Sequence, residues 1–113
     1  MAHELISFSD EAVLAEAVAA RWLDAIEGAG DRPFCVALSG GRIARHLFGA
    51  VVAQARLRKT DWQRVHFFWA DERCVPADHL ESNYKIARHE LLLPTGIPDA
   101  HVHRIPGELP PRQ

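Results

Sequence analysis

Two short apolar runs, Phe34-Cys35-Val36-Ala37-Leu38 and Val65-His66-Phe67-Phe68-Trp69, constrain the fold of this chain more than any other feature. Each is bounded by turn residues, is too short for a helix, and lacks the alternation of apolar and charged residues that marks a half-exposed strand. The pattern describes strands buried on both faces, as in a parallel sheet with helices above and below. The segments around them have helical period. Leu14, Ala17, Val18, Trp22 and Ile26 mark the buried face of a first helix, closed by Gly28 and Gly30. Ser9 is its expected N-cap, with Asp10 and Glu11 at the positive end of the helix dipole and Phe8 stapled against Val13. A second helix is expected from Arg42 to Ala55, with Ile43, Leu47, Phe48, Val51 and Val52 inward. A third should follow its cap, Ser82, and carry Tyr84, Ile86, Ala87 and Leu91, and His101 to Ile105 reads as a last short strand.

Strand and helix alternate at intervals of about 30 residues, which predicts right-handed crossovers and a parallel sheet. The expected architecture is α/β: a three-layer sandwich around a mainly parallel, Rossmann-like sheet. At 113 residues the chain accommodates one such domain, residues 1–113. Its formal charge of -2 and pI near 6.4, with Lys and Arg scattered, argue against nucleic acid and against an anionic membrane surface as partners. The uncharged apolar runs are too short to cross a bilayer, and the start of the sequence has no secretory-signal pattern. Cys35 and Cys74 form no CxxC and have apolar neighbours, so they are expected to be buried, reduced thiols in a cytoplasmic protein.

Chemistry is expected where the buried strands end, because open parallel sheets bind ligands at the carboxyl ends of their strands. Ser39-Gly40-Gly41 links the first run to a helix start. Glycine backbone there can approach an anion closely while the free N–H groups of the helix point at it, which suits phosphate, and a plain strand-to-helix turn is an equal reading. Asp71-Glu72-Arg73 follows the second run and belongs to the same rim. Charges in that position are costly to desolvate unless they pair or bind. Arg73 suits an oxyanion and Asp71 suits orienting it or handling a proton, while an Asp–Arg ion pair tying loop to helix accounts for the same residues. The seven histidines show neither HExxH nor Cys/His spacing, so no metal site is expected.

Taken together, Val36-Ala37-Leu38-Ser39-Gly40-Gly41, the stretch from Trp62 to Pro76 containing Asp71-Glu72-Arg73-Cys74-Val75-Pro76, the Ser82-Asn83-Tyr84 helix opening, and Ile97-Pro98 through His103-Arg104-Ile105-Pro106-Gly107-Glu108 resemble the 6-phosphogluconolactonase family, within the glucosamine-6-phosphate isomerase/deaminase-like superfamily. The resemblance runs in order along nearly the whole chain. It implies hydrolysis of 6-phospho-D-glucono-1,5-lactone to 6-phosphogluconate, a step of the pentose phosphate pathway, without metal or organic cofactor. By motif, Ser39, Gly40 and Gly41 would face the substrate phosphate, Asp71 and Arg73 would line the lactone end, and Asn83 would support that pocket. Where the family usually continues with Ser-Thr-Pro, Arg42-Ile43-Ala44 stands here, so Arg42 or Arg45 is expected to supply charge toward the phosphate without the same geometry.

Family members are longer and carry downstream a Gly-Asp-Gly-His-Thr segment whose His acts as general base. No such string occurs in these residues. The chain is therefore expected to be the N-terminal portion of the family fold, incomplete relative to it and incompetent alone, with self-association or a missing C-terminal half covering the unfinished sheet. The alternatives are a non-catalytic sugar-phosphate-binding or interaction domain and, disfavoured by Asp71 to Pro76, a sugar-phosphate isomerase or deaminase.

Overall fold

A computed structural model of the chain describes residues 10–109. Helix α1 (Glu11–Gly28) leads into strand β1 (Phe34–Leu38), helix α2 (Arg42–Arg58) and strand β2 (Val65–Trp69). Helix α3 (Asn83–Ala87) then runs through a widened π-turn at Arg88–Leu92 into the short α4 (Leu93–Thr95), and a 3₁₀ turn precedes β3 (Val102–His103). All three strands are parallel in the order β1-β2-β3, with Phe34 opposite Val65, Leu38 opposite Trp69, and Phe67 opposite Val102. The expected α/β alternation and parallel sheet are present.

The first helix is capped by Asp10, whose side chain accepts the Val13 N–H at 2.8 Å, and not by Ser9 as expected. Ser9 and Phe8, and with them the proposed staple, lie outside the described residues. Its buried face carries Ala15, Ala19, Leu23 and Ile26. Val18, expected inside, is exposed. The small side chains of Ala15 and Ala19 face inward because α1 runs beside α2, as the Glu11–Arg42, Gln54–Glu16 carbonyl and Arg58–Asp24 contacts show along their lengths. Arg58 closes that seam, and Lys59 ends α2 in the left-handed conformation (φ 57°).

Both crossovers step the same way across the sheet, so right-handed connections put their helices on one face. Phe34, Val36, Leu38, Val65, Phe67 and Trp69 point toward them. Phe67 is fully buried at the centre, between Trp22 (ring centroids 6.2 Å, edge-on) and Trp62 (6.1 Å). Trp69 continues this core toward the carboxyl end of the sheet, where its ring stands 5.4 Å from Tyr84.

The expectation that both strands are buried on both faces is corrected by the opposite side. Cys35 and Ala37 are exposed there, Phe68 is 40% exposed, and His66 is only partly covered. Parallel sheets usually carry helices on both faces, and the described residues supply one layer. On the open side His66 Nδ1 shares a hydrogen bond with His103 Nε2 (3.1 Å), His101 stacks on His66, and His103 stacks on Phe68. Both thiols are free and exposed, so the expected burial of Cys35 and Cys74 is also corrected: one lies on the open face, the other on the loop after β2.

Candidate functional site

β1 and β2 end side by side because they are in register, and the Ala70 N–H donates to the Leu38 carbonyl at 2.8 Å, which carries the pairing into both loops. Ser39 and Asp71 therefore meet: the Ser39 hydroxyl donates to Asp71 Oδ1 at 3.4 Å, a long contact. Gly41 is the N-cap of α2, with φ 105° and no side-chain hydrogen bond to the first turn, so among the described residues that turn's N–H groups have no side-chain partner. The positive φ suits glycine, and a side chain there would meet no atom within 4 Å.

Gly40 is constrained differently. A Cβ on it would fall onto the side-chain oxygen of Asn83. Asn83 is 4% exposed, and its Nδ2 donates to the Asp71 carbonyl at 3.3 Å. One buried amide thus touches the loop after β1 and the loop after β2 at once. Its position at the start of α3 follows from Ser82, a fully buried N-cap whose hydroxyl accepts the Lys85 N–H at 3.2 Å, as its sequence position suggested.

Glu72 anchors the arrangement. Its Oε1 accepts the N–H groups of Arg73 (2.7 Å) and Asn83 (2.7 Å), while Oε2 accepts the Ser82 hydroxyl (2.9 Å) and the Tyr84 N–H (3.0 Å). Burial pushes this carboxyl up, but the hydrogen bonds outweigh it and hold the group below its ordinary value of 4.5. Sequence reasoning placed Glu72 on the rim without giving it a role. The local signal for such an acid is a capping box with Glu or Gln three residues after the cap, and that position is Lys85. Here the acid arrives from a loop ten residues before the cap.

Of the residues singled out from sequence, Ser39, Gly40, Asp71 and Asn83 come together, and Gly41 adjoins them. Arg73 lies on the same loop, exposed, and no hydrogen bond or ion pair of its guanidinium exists among the described residues, so the Asp71–Arg73 ion pair of the structural alternative is not formed there. Arg42, expected over the phosphate, points its guanidinium at Glu11 of α1 instead, with Nε donating to Oε2 at 3.1 Å. The reason is local: the parallel α1 brings Glu11, in its first turn, alongside the first turn of α2. A cavity of about 450 Å³ beside β3, lined by Tyr84, Arg88, Arg104 and Asp99 among others, shares no residue with this cluster.

The sequence pattern described as "Glucosamine-6-phosphate isomerases/6-phosphogluconolactonase" matches residues 9–113. The chain belongs to this family. A probable 6-phosphogluconolactonase 3, chloroplastic, of Oryza sativa subsp. indica is 38% identical over 104 residues, which is 89% of this chain and 31% of that protein. The solved 6-phosphogluconolactonase of Trypanosoma brucei superposes with a TM-score of 0.80 at 28% identity, covering 96% of this chain and 41% of the other. A monomeric glucosamine-6-phosphate deaminase gives the same TM-score, 0.80, at 12% identity, which shows a shared fold. The chain thus spans less than half the length of these relatives. Among the described residues, no helix is long and apolar enough to cross a membrane.

Proposed function

We propose that this chain carries the substrate-binding rim of a 6-phosphogluconolactonase and forms the N-terminal portion of that fold. The observation that supports it most is Asn83, which joins Gly40 to Asp71 and so brings a phosphate-type turn and a charged loop into one site. In this reading the amino end of α2, at Gly40 and Gly41, takes the phosphate of 6-phospho-D-glucono-1,5-lactone, because N–H groups and the helix dipole favour an anion. Ser39 adds a hydroxyl. Arg73 faces the lactone carbonyl, where a cation stabilises the oxygen as water adds and charge develops on it, and Asp71 orients that end. Arg42 contributes through its positive charge near the turn, since its fork is directed to Glu11. Ester hydrolysis with these groups calls for water and a base, and for neither metal nor organic cofactor.

The cluster holds a carboxylate and a hydroxyl but no histidine. A missing general base costs about 100- to 10,000-fold in rate. The 113-residue chain is therefore expected to bind the phosphorylated sugar and to hydrolyse the lactone little faster than water does. A cytoplasmic, reducing setting belongs to the same reading and is supported by the two free thiols. The test pairs lactone hydrolysis with NMR titration of 6-phosphogluconate. Expected are shifts at Gly40, Gly41, Asp71 and Asn83 without significant turnover. Enzyme-level acceleration by this chain would remove the missing-base argument, and shifts elsewhere would remove the site.

A further inference from the structure

We propose that Glu72 is the positioning residue of this rim: without touching substrate, its carboxylate fastens the loop after β2 to the amino end of α3 and so holds Asp71 and Asn83 against the glycine turn. The inference rests on the substrate reading above and adds a residue to it.

Both oxygens of Glu72 are fully used, each by two donors, three of them backbone N–H groups and the fourth the Ser82 hydroxyl. An ionised carboxylate offers about four acceptor positions and no donor, which matches this set, whereas a glutamine must present N–H to N–H at one of its two ends. The clamped atoms sit next to the residues assigned to substrate. Arg73 and Asn83 are held by their own N–H groups, and Asp71 precedes Glu72 in the chain. Ser82 works in two directions, accepting from Lys85 to cap α3 and donating to Glu72, so the helix start and the loop are ordered together. A third segment closes on the same loop: Gly107 lies so close to the Arg73 and Val75 carbonyls and to Cγ of Glu72 that a side chain there has no room. Two chain segments about ten residues apart are thus pinned around one carboxylate, with the Asn83 side chain packed against a glycine turn that α2 itself holds.

The test is Glu72→Gln in the 113-residue chain, with Ser82→Ala as a milder second variant. Each is titrated by NMR with 6-phosphogluconate and separately with inorganic phosphate, and amide hydrogen exchange is followed residue by residue. The wild-type chain is expected to prefer 6-phosphogluconate. Glu72→Gln is expected to lose about tenfold in 6-phosphogluconate affinity, the scale of hydrogen bonds to a charged group, while keeping its phosphate affinity and the phosphate shifts at Gly40 and Gly41. Exchange protection should fall at Arg73, Asn83 and Tyr84 and hold in the strands. A general structural defect would weaken both ligands alike, so equal loss overturns the proposal, as does a retained preference with unchanged exchange. If the wild-type chain shows no preference, the substrate reading fails and the exchange pattern alone decides Glu72: protection lost only at the clamped amides supports it, and unchanged protection overturns it. Should Glu72→Gln not fold, Ser82→Ala, which removes one of the four donors, is read by the same criteria on a smaller scale.

Discussion

Gly40→Ala isolates the contact that joins the two rim loops. Gly40 is not among the glycines held at positive φ, so the added methyl group is penalised by what it meets and not by φ. It meets the amide of Asn83, with the side-chain oxygen and Cγ both inside van der Waals contact. Two routes relieve the clash. The loop can shift at the cost of overpacking, about 1–3 kcal/mol. Alternatively Asn83 can rotate, losing its bond to the Asp71 carbonyl and leaving a buried amide unpaired, also about 1–3 kcal/mol. Either way about 2 kcal/mol is expected, a large part of a total of about 5–15 kcal/mol. For a domain of this size that lowers Tm by roughly 10 °C. Urea unfolding of the single and double variants gives the answer. In an Asn83→Ala background the obstruction is gone, and the cost of Gly40→Ala should drop below about 0.5 kcal/mol. Gly41→Ala, by contrast, should cost about 1–3 kcal/mol through its positive φ, with or without Asn83. A Gly40→Ala variant as stable as wild type, or one whose cost is the same in both backgrounds, refutes the reasoning.

Phe67→Ala empties the centre of the core between Trp22 and Trp62 and should cost about 3–5 kcal/mol, whereas Phe68→Ala on the open face should cost less than about 1 kcal/mol; equal denaturation midpoints would contradict the assigned faces. Burial, with His101 and His103 nearby, pushes His66 down from its ordinary 6.5, so the folded chain binds fewer protons than the unfolded one and stability should fall as pH drops below that value. His66→Gln should flatten this limb in pH-dependent thermal melts, and an unchanged slope would count against the assignment. Glu108, held at about 2 by its hydrogen bonds to Arg104, contributes stability fully present above its ordinary 4.5 and lost as pH falls through about 2, and Glu108→Gln should remove that lower limb. A thiol reagent should titrate both Cys35 and Cys74 in the native chain without denaturant, and protection of either would restore the burial read from sequence.

What was legible in the sequence is local. β1, β2 and the start of α2 follow from apolar runs and turn residues that act within a few positions, and Ser82 caps α3 for the same reason. The burial of faces was not legible, because it depends on the direction in which each crossover steps, a property of the whole sheet. Phe68 and Cys35 are apolar in composition yet lie outward, since both helices following a strand pack on the Val36 and Phe67 side. In α1 the helical spacing put Val18 on the inner face, whereas a close neighbouring helix selects Ala15 and Ala19. The candidate site divides in the same way. Gly40, Asp71 and Asn83 stand in recognisable strings, but Glu72 meets its donors only when α3 folds back onto the loop, and the direction of the Arg42 fork is set by Glu11, which lies beside it in space.

Trp69 gives the chain an optical reporter of its own. Its indole ends β2 edge-on to Tyr84, the residue whose N–H is held by Glu72. Trp22 and Trp62, each partly buried, flank Phe67 away from that helix start and report on the packing of the core itself. Loosening of the amino end of α3 alone admits water to Trp69 and shifts part of the emission to longer wavelength while the rest stays in place. Two-step fluorescence changes in this chain would therefore separate local opening at the rim from global unfolding, without a label.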